Sequence, residues 1–329
     1  MKAIVYTEYG PPDVLELKEV ATPTPADDEV LIKLYAASVN PLDWHLMRGA
    51  PYLLRIQAGL RKPKDTRLGV DVAGQVEAVG RNVTQFKSGD RVFGACRGAF
   101  AEYVCAVEDK LALKPAGLSF EDAAAVPVAA ITALQGLRDQ GRIRRGHKVL
   151  VDGASGGVGT FAVQIAKSFG AEITAVCSTR NVDTARSIGA DHVIDYTQED
   201  FTESGQPYDL IIAANAYHSI FDYRRALSQD GIYVMAGGGV VQMLQTMLLG
   251  PLLSRVGRKK MSFFLAKINQ TDLVLLKGLL EARKVVPVID RRYPLSEVAE
   301  ALRYLEEGHA RGKVVITVQT QVKPASRIE

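Results

Sequence analysis

The chain has 329 residues, room for about two domains at the usual roughly 150 residues each, with 47% hydrophobic and 23% charged residues and a formal charge of +3. That balance is typical of a folded globular protein and excludes a disordered chain, a nucleic-acid-wrapping surface and an acidic tail. Three scattered cysteines, Cys96, Cys105 and Cys177, argue for thiols in a reducing compartment and cannot make a four-thiolate zinc site. With no signal peptide ahead of the strand-like MKAIVYTEYG, the expectation is a cytoplasmic protein.

The first ~115 residues run in short alternating stretches (AIVYTEY, VLELKEV, EVLIKLYAASV, VAGQVEAVG, DRVFGA, AFAEYVCAV) separated by Gly, Pro and Asp, which predicts a mostly antiparallel β-domain. Ser119, with Asp122 three residues on, reads as a helix N-terminus before an apolar run, and a second domain begins near there. Strands and helices then alternate: KVLVDG, a helix over Gly157–Phe169, EITAVCS, a helix over Val182–Ile188, HVIDY, YDLIIAA, a helix over Ile220–Leu227, GIYVMAG and KKMSFFLA. Apolar strands joined by helices predict a parallel sheet covered on both faces.

The most apolar stretch, Val240–Leu253, falls short of the ~20 residues that span a bilayer. It reads as a helix packed in the core or in a dimer contact. Arg255, Arg258, Lys259 and Lys260 follow it, which leaves a peripheral membrane contact as the weaker alternative. Helices over Asp272–Arg283 and Ser296–Glu307 and a final strand, GKVVITV, complete the pattern.

Between the strand KVLVD and the following helix lies Gly153-Ala154-Ser155-Gly156-Gly157-Val158-Gly159. It contains A-x-G-x-x-G at Ala154, Gly156 and Gly159, a variant of the dinucleotide fingerprint, in which small residues let backbone approach a pyrophosphate at a helix N-terminus. The same letters spell G-x-S-x-G with Ser155 as a hydrolase nucleophile. The nucleotide reading is favoured because a long β-domain precedes the loop and the Gly-rich run Gly237–Gly239 follows Ser155. The second strand ends in Ser178, Thr179 and Arg180 with no acid before Asp183, donors suited to a 2′-phosphate, so NADPH is the expected cofactor.

AASVNPLDW (36–44), GVDVAGQVEAVG (69–80), SGDRVFG (88–94), AAAVPVAAITALQGL, VDGASGGVGTFAVQIAK, STRNVDTARSIGADHVIDY and GHARGKVVI (308–316) together make the whole chain resemble the medium-chain dehydrogenase/reductase superfamily. Within it, the chain is similar to the zinc-free branch of quinone oxidoreductase-like and alkenal reductase-like proteins. The resemblance implies an α/β fold: a GroES-like β-domain from residues 1–124 and 268–329, and a Rossmann domain with a doubly wound parallel sheet from residues 125–267. It also implies a homodimer through the last Rossmann strand, near Met261–Leu265.

Zinc-dependent members hold their catalytic metal with Cys, His and Cys. The matching positions here are Asn40, Val70 and Val128, which cannot replace those ligands, so no metal is expected. Without a Lewis acid the implied acceptor is one already poised for hydride, a quinone or an α,β-unsaturated carbonyl compound. A reductase or dehydrogenase of another small carbonyl compound, and an NADPH-binding module without turnover, stay open as alternatives.

By the same resemblance, Asn40 lies near the nicotinamide ribose and the substrate. His45 stands at a proton-relay position, with Tyr52 or water as the other proton sources. Thr132 is expected at the nicotinamide, Tyr196 beside the adenosine phosphate, Gly237 near the cofactor, Phe263 and Phe264 at the nicotinamide edge, and Lys313 as a contact from the terminal loop.

Overall fold

A computed structural model describes residues 1–318. The described residues form two compact units, one from Met1–Ala125, Arg291–Gly308 and 314–318, the other from Val126–Asp290 and His309–Lys313. The strands, in chain order, are β1 (Lys2–Val5), β2 (Glu16–Glu19), β3 (Glu29–Val39), β4 (Asp71–Val79), β5 (Arg91–Ala95), β6 (Tyr103–Val107), β7 (Leu111–Leu113), β8 (Lys148–Asp152), β9 (Glu172–Cys177), β10 (His192–Asp195), β11 (Tyr208–Ala213), β12 (Leu227–Met235), β13 (Lys260–Phe263), β14 (Ile289–Pro294) and β15 (Lys313–Thr317).

In the first unit the sheet order is β14-β15-β3-β4-β5-β7, with β6 also paired to β3 and a separate β1-β2 pair. The long strand β3 is its axis. It pairs antiparallel with β4, β6 and β15, and it buries Val30, Ile32, Leu34, Ala36, Ala37 and Val39. Ser119 caps the helix Phe120–Ala124 as its spacing predicts, its Oγ accepting from the Asp122 amide at 3.0 Å.

In the second unit six strands lie parallel in the order β10-β9-β8-β11-β12-β13. KVLVD and EITAVC are buried from their second residue on, because helices cover a parallel sheet on both faces. The order reverses beside β8, and the glycine loop leaves β8 at that switch, where ligands of open α/β sheets bind.

Residues 268–290, expected with the β-domain, belong to the parallel-sheet unit instead. The cause is polar. Asp272, at the start of the helix Gln270–Glu281, accepts from Gln135 Nε2, Arg138 Nη1 and Asn269 Nδ2 at 2.7, 2.7 and 2.8 Å. Gln164 closes a second clasp, donating to Val286 O and accepting from its amide. The end of the expected β-domain, from 319 on, lies outside the described residues.

The helix Val240–Leu253 has the predicted bounds, but it is not a core helix. Met243, Leu249 and Leu253 pack inward against the cluster containing Tyr223, Tyr233 and Met261, while Val241, Leu244, Met247, Leu248 and Leu252 are exposed.

Candidate functional site

The glycine loop uses its small residues for two purposes. Gly153 has φ +76°, which an L side chain rarely adopts, and a Cβ on Gly159 would stand 2.1 Å from Gly153 O. Ala154 is fully buried, with its amide donating to Val176 O at 3.0 Å. Ala154 and Gly159 therefore serve packing and touch no ligand with a side chain. Gly156 is different, since a Cβ there would meet only Gly153 O at 3.6 Å. Nothing in the protein crowds it, so its bareness suits a ligand approaching backbone at the start of the helix Gly157–Ser168. Ser155, Gly157 and Val158 are half-buried around it, and Lys313 lies alongside, its Cδ 3.0 Å from where a Gly157 Cβ would sit. A dinucleotide pyrophosphate fits this cradle.

At the end of β9, the Thr179 hydroxyl is already engaged within the protein. It donates to Asp195 Oδ2 at 2.6 Å, leaving no proton for a phosphate. The Thr179 bond, with those of Thr197 and Gln198, holds the Asp195 carboxyl below the usual range, so it stays ionised. Ser178 Oγ accepts from Asn181 Nδ2 at 3.1 Å and keeps its own proton. Arg180 is exposed, with Nη2 reaching His309 O at 3.4 Å, which sets its guanidinium beside the loop that ends in Lys313. Tyr196 is exposed, its ring 6.0 Å from that of Tyr217, a residue the sequence reading passed over.

Beneath the loop, the wholly buried Asp152 accepts from Tyr223 Oη, which in turn accepts the Tyr217 amide at 3.2 Å. Burial pushes the Asp152 carboxyl up to about 7, with Tyr223 and the Gly153 amide pulling it back. An aspartate ending an otherwise apolar strand was the available signal, because buried acids need partners.

The nicotinamide-side expectations divide. Thr132 Oγ donates to Val128 O at 2.7 Å, so its proton stays in its own helix. Phe263 is the last residue of β13, and Phe264 follows it outside the strand. Phe263 is partly buried and packs against the Tyr223 and Met261 cluster, while Phe264 lies against Gly136 one turn beyond Thr132. Gly237 is a packing glycine, since its Cβ would stand 2.5 Å from Ala214 O.

In the other unit, Asn40 precedes the helix Pro41–Arg48 and is only 3% exposed. Its Nδ2 donates to Asp71 Oδ2 at 2.9 Å, the same oxygen that Ser38 Oγ reaches at 2.6 Å. Asp43 Oδ2 accepts the Asn40 amide at 2.7 Å, and its Oδ1 accepts that of Gly69 at 3.1 Å. Asn40 is thus a fixed joint between the helix and the strand that carries Asp71. Asp43 and Asp71, unassigned in the sequence, hold it.

His45 sits on that helix, stacked on Trp44 at 3.7 Å, with Nδ1 2.8 Å from Ala50 O. A carbonyl only accepts, so Nδ1 carries the hydrogen and Nε2 is the nitrogen left to exchange a proton. Arg48 anchors the helix through a two-point bond to Glu306. Tyr52 is 78% exposed and stacked under the Arg55 guanidinium at 4.6 Å, an arrangement that favours a surface role over proton donation. Of the residues expected in place of zinc ligands, Asn40 has its side-chain amide bonded to Asp71, and Val70 and Val128 carry no donor atom for a metal. Among the described residues no group of three or more His, Cys, Asp or Glu could hold a metal ion.

Residues 26–116 match the alcohol dehydrogenase GroES-like domain model, and residues 188–316 match that of the zinc-binding dehydrogenases. A tomato protein, 2-methylene-furan-3-one reductase, is 39% identical over 96% of this chain and 79% of its own. An Arabidopsis thaliana chloroplastic NADPH-dependent alkenal/one oxidoreductase is 35% identical over the same shares, 96% and 79%. The solved quinone oxidoreductase of Coxiella burnetii superposes with a TM-score of 0.85 at 32% identity, over 97% of this chain and 99% of that one. With relatives of this similarity over nearly the whole of this chain, and the glycine loop and sheet order described above, the chain belongs to the medium-chain dehydrogenase/reductase superfamily, in its quinone oxidoreductase-like branch.

Proposed function

We propose that the chain is a zinc-independent, NADPH-dependent reductase of quinones or α,β-unsaturated carbonyl compounds. One observation carries the reading: a cradle open at Gly156 for a dinucleotide is paired with Asn40, Val70 and Val128 where zinc members carry ligands. When bound, NADPH supplies the hydride. A conjugated acceptor spreads the resulting charge onto its own oxygen, which replaces the several kcal/mol a metal would contribute. His45 offers the proton through Nε2, and the Asn40–Asp71 joint keeps the His45 helix in register with β4. Arg180 favours NADPH by a charge-assisted bond to the 2′-phosphate. The names of the tomato, Arabidopsis and Coxiella relatives support this substrate class.

The test is the loss of NADPH absorbance by chelator-treated protein with a naphthoquinone, a 2-alkenal and a saturated aldehyde, repeated with NADH. Turnover confined to the conjugated acceptors, with NADPH preferred, is expected. Cofactor binding without turnover of any acceptor would replace the enzyme with a binding module. We also infer a homodimer through β13, which ends the parallel sheet; a monomer in sedimentation would reject it.

A further inference from the structure

The helix Val240–Leu253 is apolar on both sides, although only one side is covered in the chain. Inward, Thr246 and Gly250 are buried and Met243, Leu249 and Leu253 pack on the core. Outward, Val241, Leu244, Leu248 and Leu252 recur at helical spacing, and Leu248 and, just past the helix, Val256 are 68% and 67% exposed. A helix apolar all round ordinarily lies inside a protein or against lipid.

Charge distinguishes the possible covers. Between Asp230 and Asp272 the chain has no acidic residue, but it has Arg255, Arg258, Lys259, Lys260 and Lys267. Arg258 is paired with Asp230, at 2.5 Å. Lys259 and Lys260 donate to the carbonyls of Arg224 and Ser254, which hold them in place without neutralising them. Arg224 itself bonds Val256 O, adding a cation to the same end of the helix. Burial and Arg224 push the Lys259 ammonium below its ordinary range, as expected where positive groups crowd together.

We propose that this face docks on an anionic lipid surface. The leucine row would enter the headgroup boundary, and the cluster after Leu253 would meet lipid phosphates. Fourteen residues give about 21 Å of helix, too short to cross a bilayer core of about 30 Å, so the helix lies in the interface. The inference is independent of the reductase reading.

The experiment is cosedimentation of the full chain with phosphatidylcholine vesicles, with and without phosphatidylglycerol, at low and high salt. Binding at least roughly tenfold stronger to the anionic vesicles, and weakened by salt, is expected. Leu244→Glu with Leu248→Glu, and separately Arg255→Glu with Arg258→Glu, should each abolish it, with unchanged circular dichroism and unchanged turnover of a soluble quinone. No vesicle binding, equal binding to neutral vesicles, or binding that survives both variants overturns the proposal. A leucine variant that converts a dimer to a monomer, from a parent that ignores lipid, identifies a second copy as the cover instead. Turnover of the quinone by the parent protein reports separately on the reductase reading.

Discussion

Around the glycine loop the groups that face a ligand are backbone, whereas around Asn40 and His45 they are side chains held by partners distant in sequence or in the following turn. At the loop, Gly153, Gly156 and Gly159 act by what they lack, and the constraint is readable from three letters and a strand. On the helix Pro41–Arg48, the chemistry rests on Asp71, Asp43 and Ala50 O, partners set by pairing and turns distant in sequence. A site built from backbone tolerates few letters, and a site built from side chains hides in its second layer.

Substitutions can break that contrast. The largest effect belongs to Gly159→Ala, whose methyl would meet Gly153 O at 2.1 Å; a stability loss of about 3 kcal/mol or more is expected by denaturant unfolding. Gly156→Ala should instead leave stability unchanged or raise it by roughly 0.5 kcal/mol, while NADPH binding weakens in calorimetry. Equal behaviour of the two would erase the division between packing and ligand glycines.

Asp152 tests whether a side chain matters beneath the loop. Its folded pKa, about 7, lies above the ordinary 3.8, so the folded protein holds the proton more tightly. Its contribution is fully present below about pH 4 and is lost as pH rises through 7, a fall on the order of a few kcal/mol. Thermal unfolding against pH should show this slope, and Asp152→Asn should flatten it.

On the side-chain site, His45→Gln should lower turnover about a hundredfold. Tyr52→Phe should change it less than about twofold, because Tyr52 is exposed. If neither matters, water supplies the proton. Arg180→Ala is expected to weaken NADPH ten- to a hundredfold while leaving NADH nearly untouched. Equal losses for the two cofactors would mean that Arg180 is not the 2′-phosphate contact.

The parallel sheet, the helix capped by Ser119 and the glycine loop were legible because each depends on neighbours within a few residues. The protein partners of Thr179 and Thr132 were not legible, for the opposite reason. Their hydroxyl types suited a ligand, but Asp195 and Val128 O already accept their protons. Residues 268–290 were assigned to the wrong unit because Asp272 finds Gln135 across 137 residues of chain. For Val240–Leu253 the sequence left core and dimer contact undivided, because hydropathy records what a residue avoids and not what covers it.

The way the chain passes between its units has a consequence for synthesis. Strand β3 pairs Val39 with Val314, so the first large strand made waits for one of the last. The whole parallel sheet emerges before that partner does. The β-domain is thus begun first and closed last. A ribosome stalled before residue 314 would carry a finished cofactor fold beside an open sheet edge at Ala36–Val39, a ready template for mispairing until the final strand arrives.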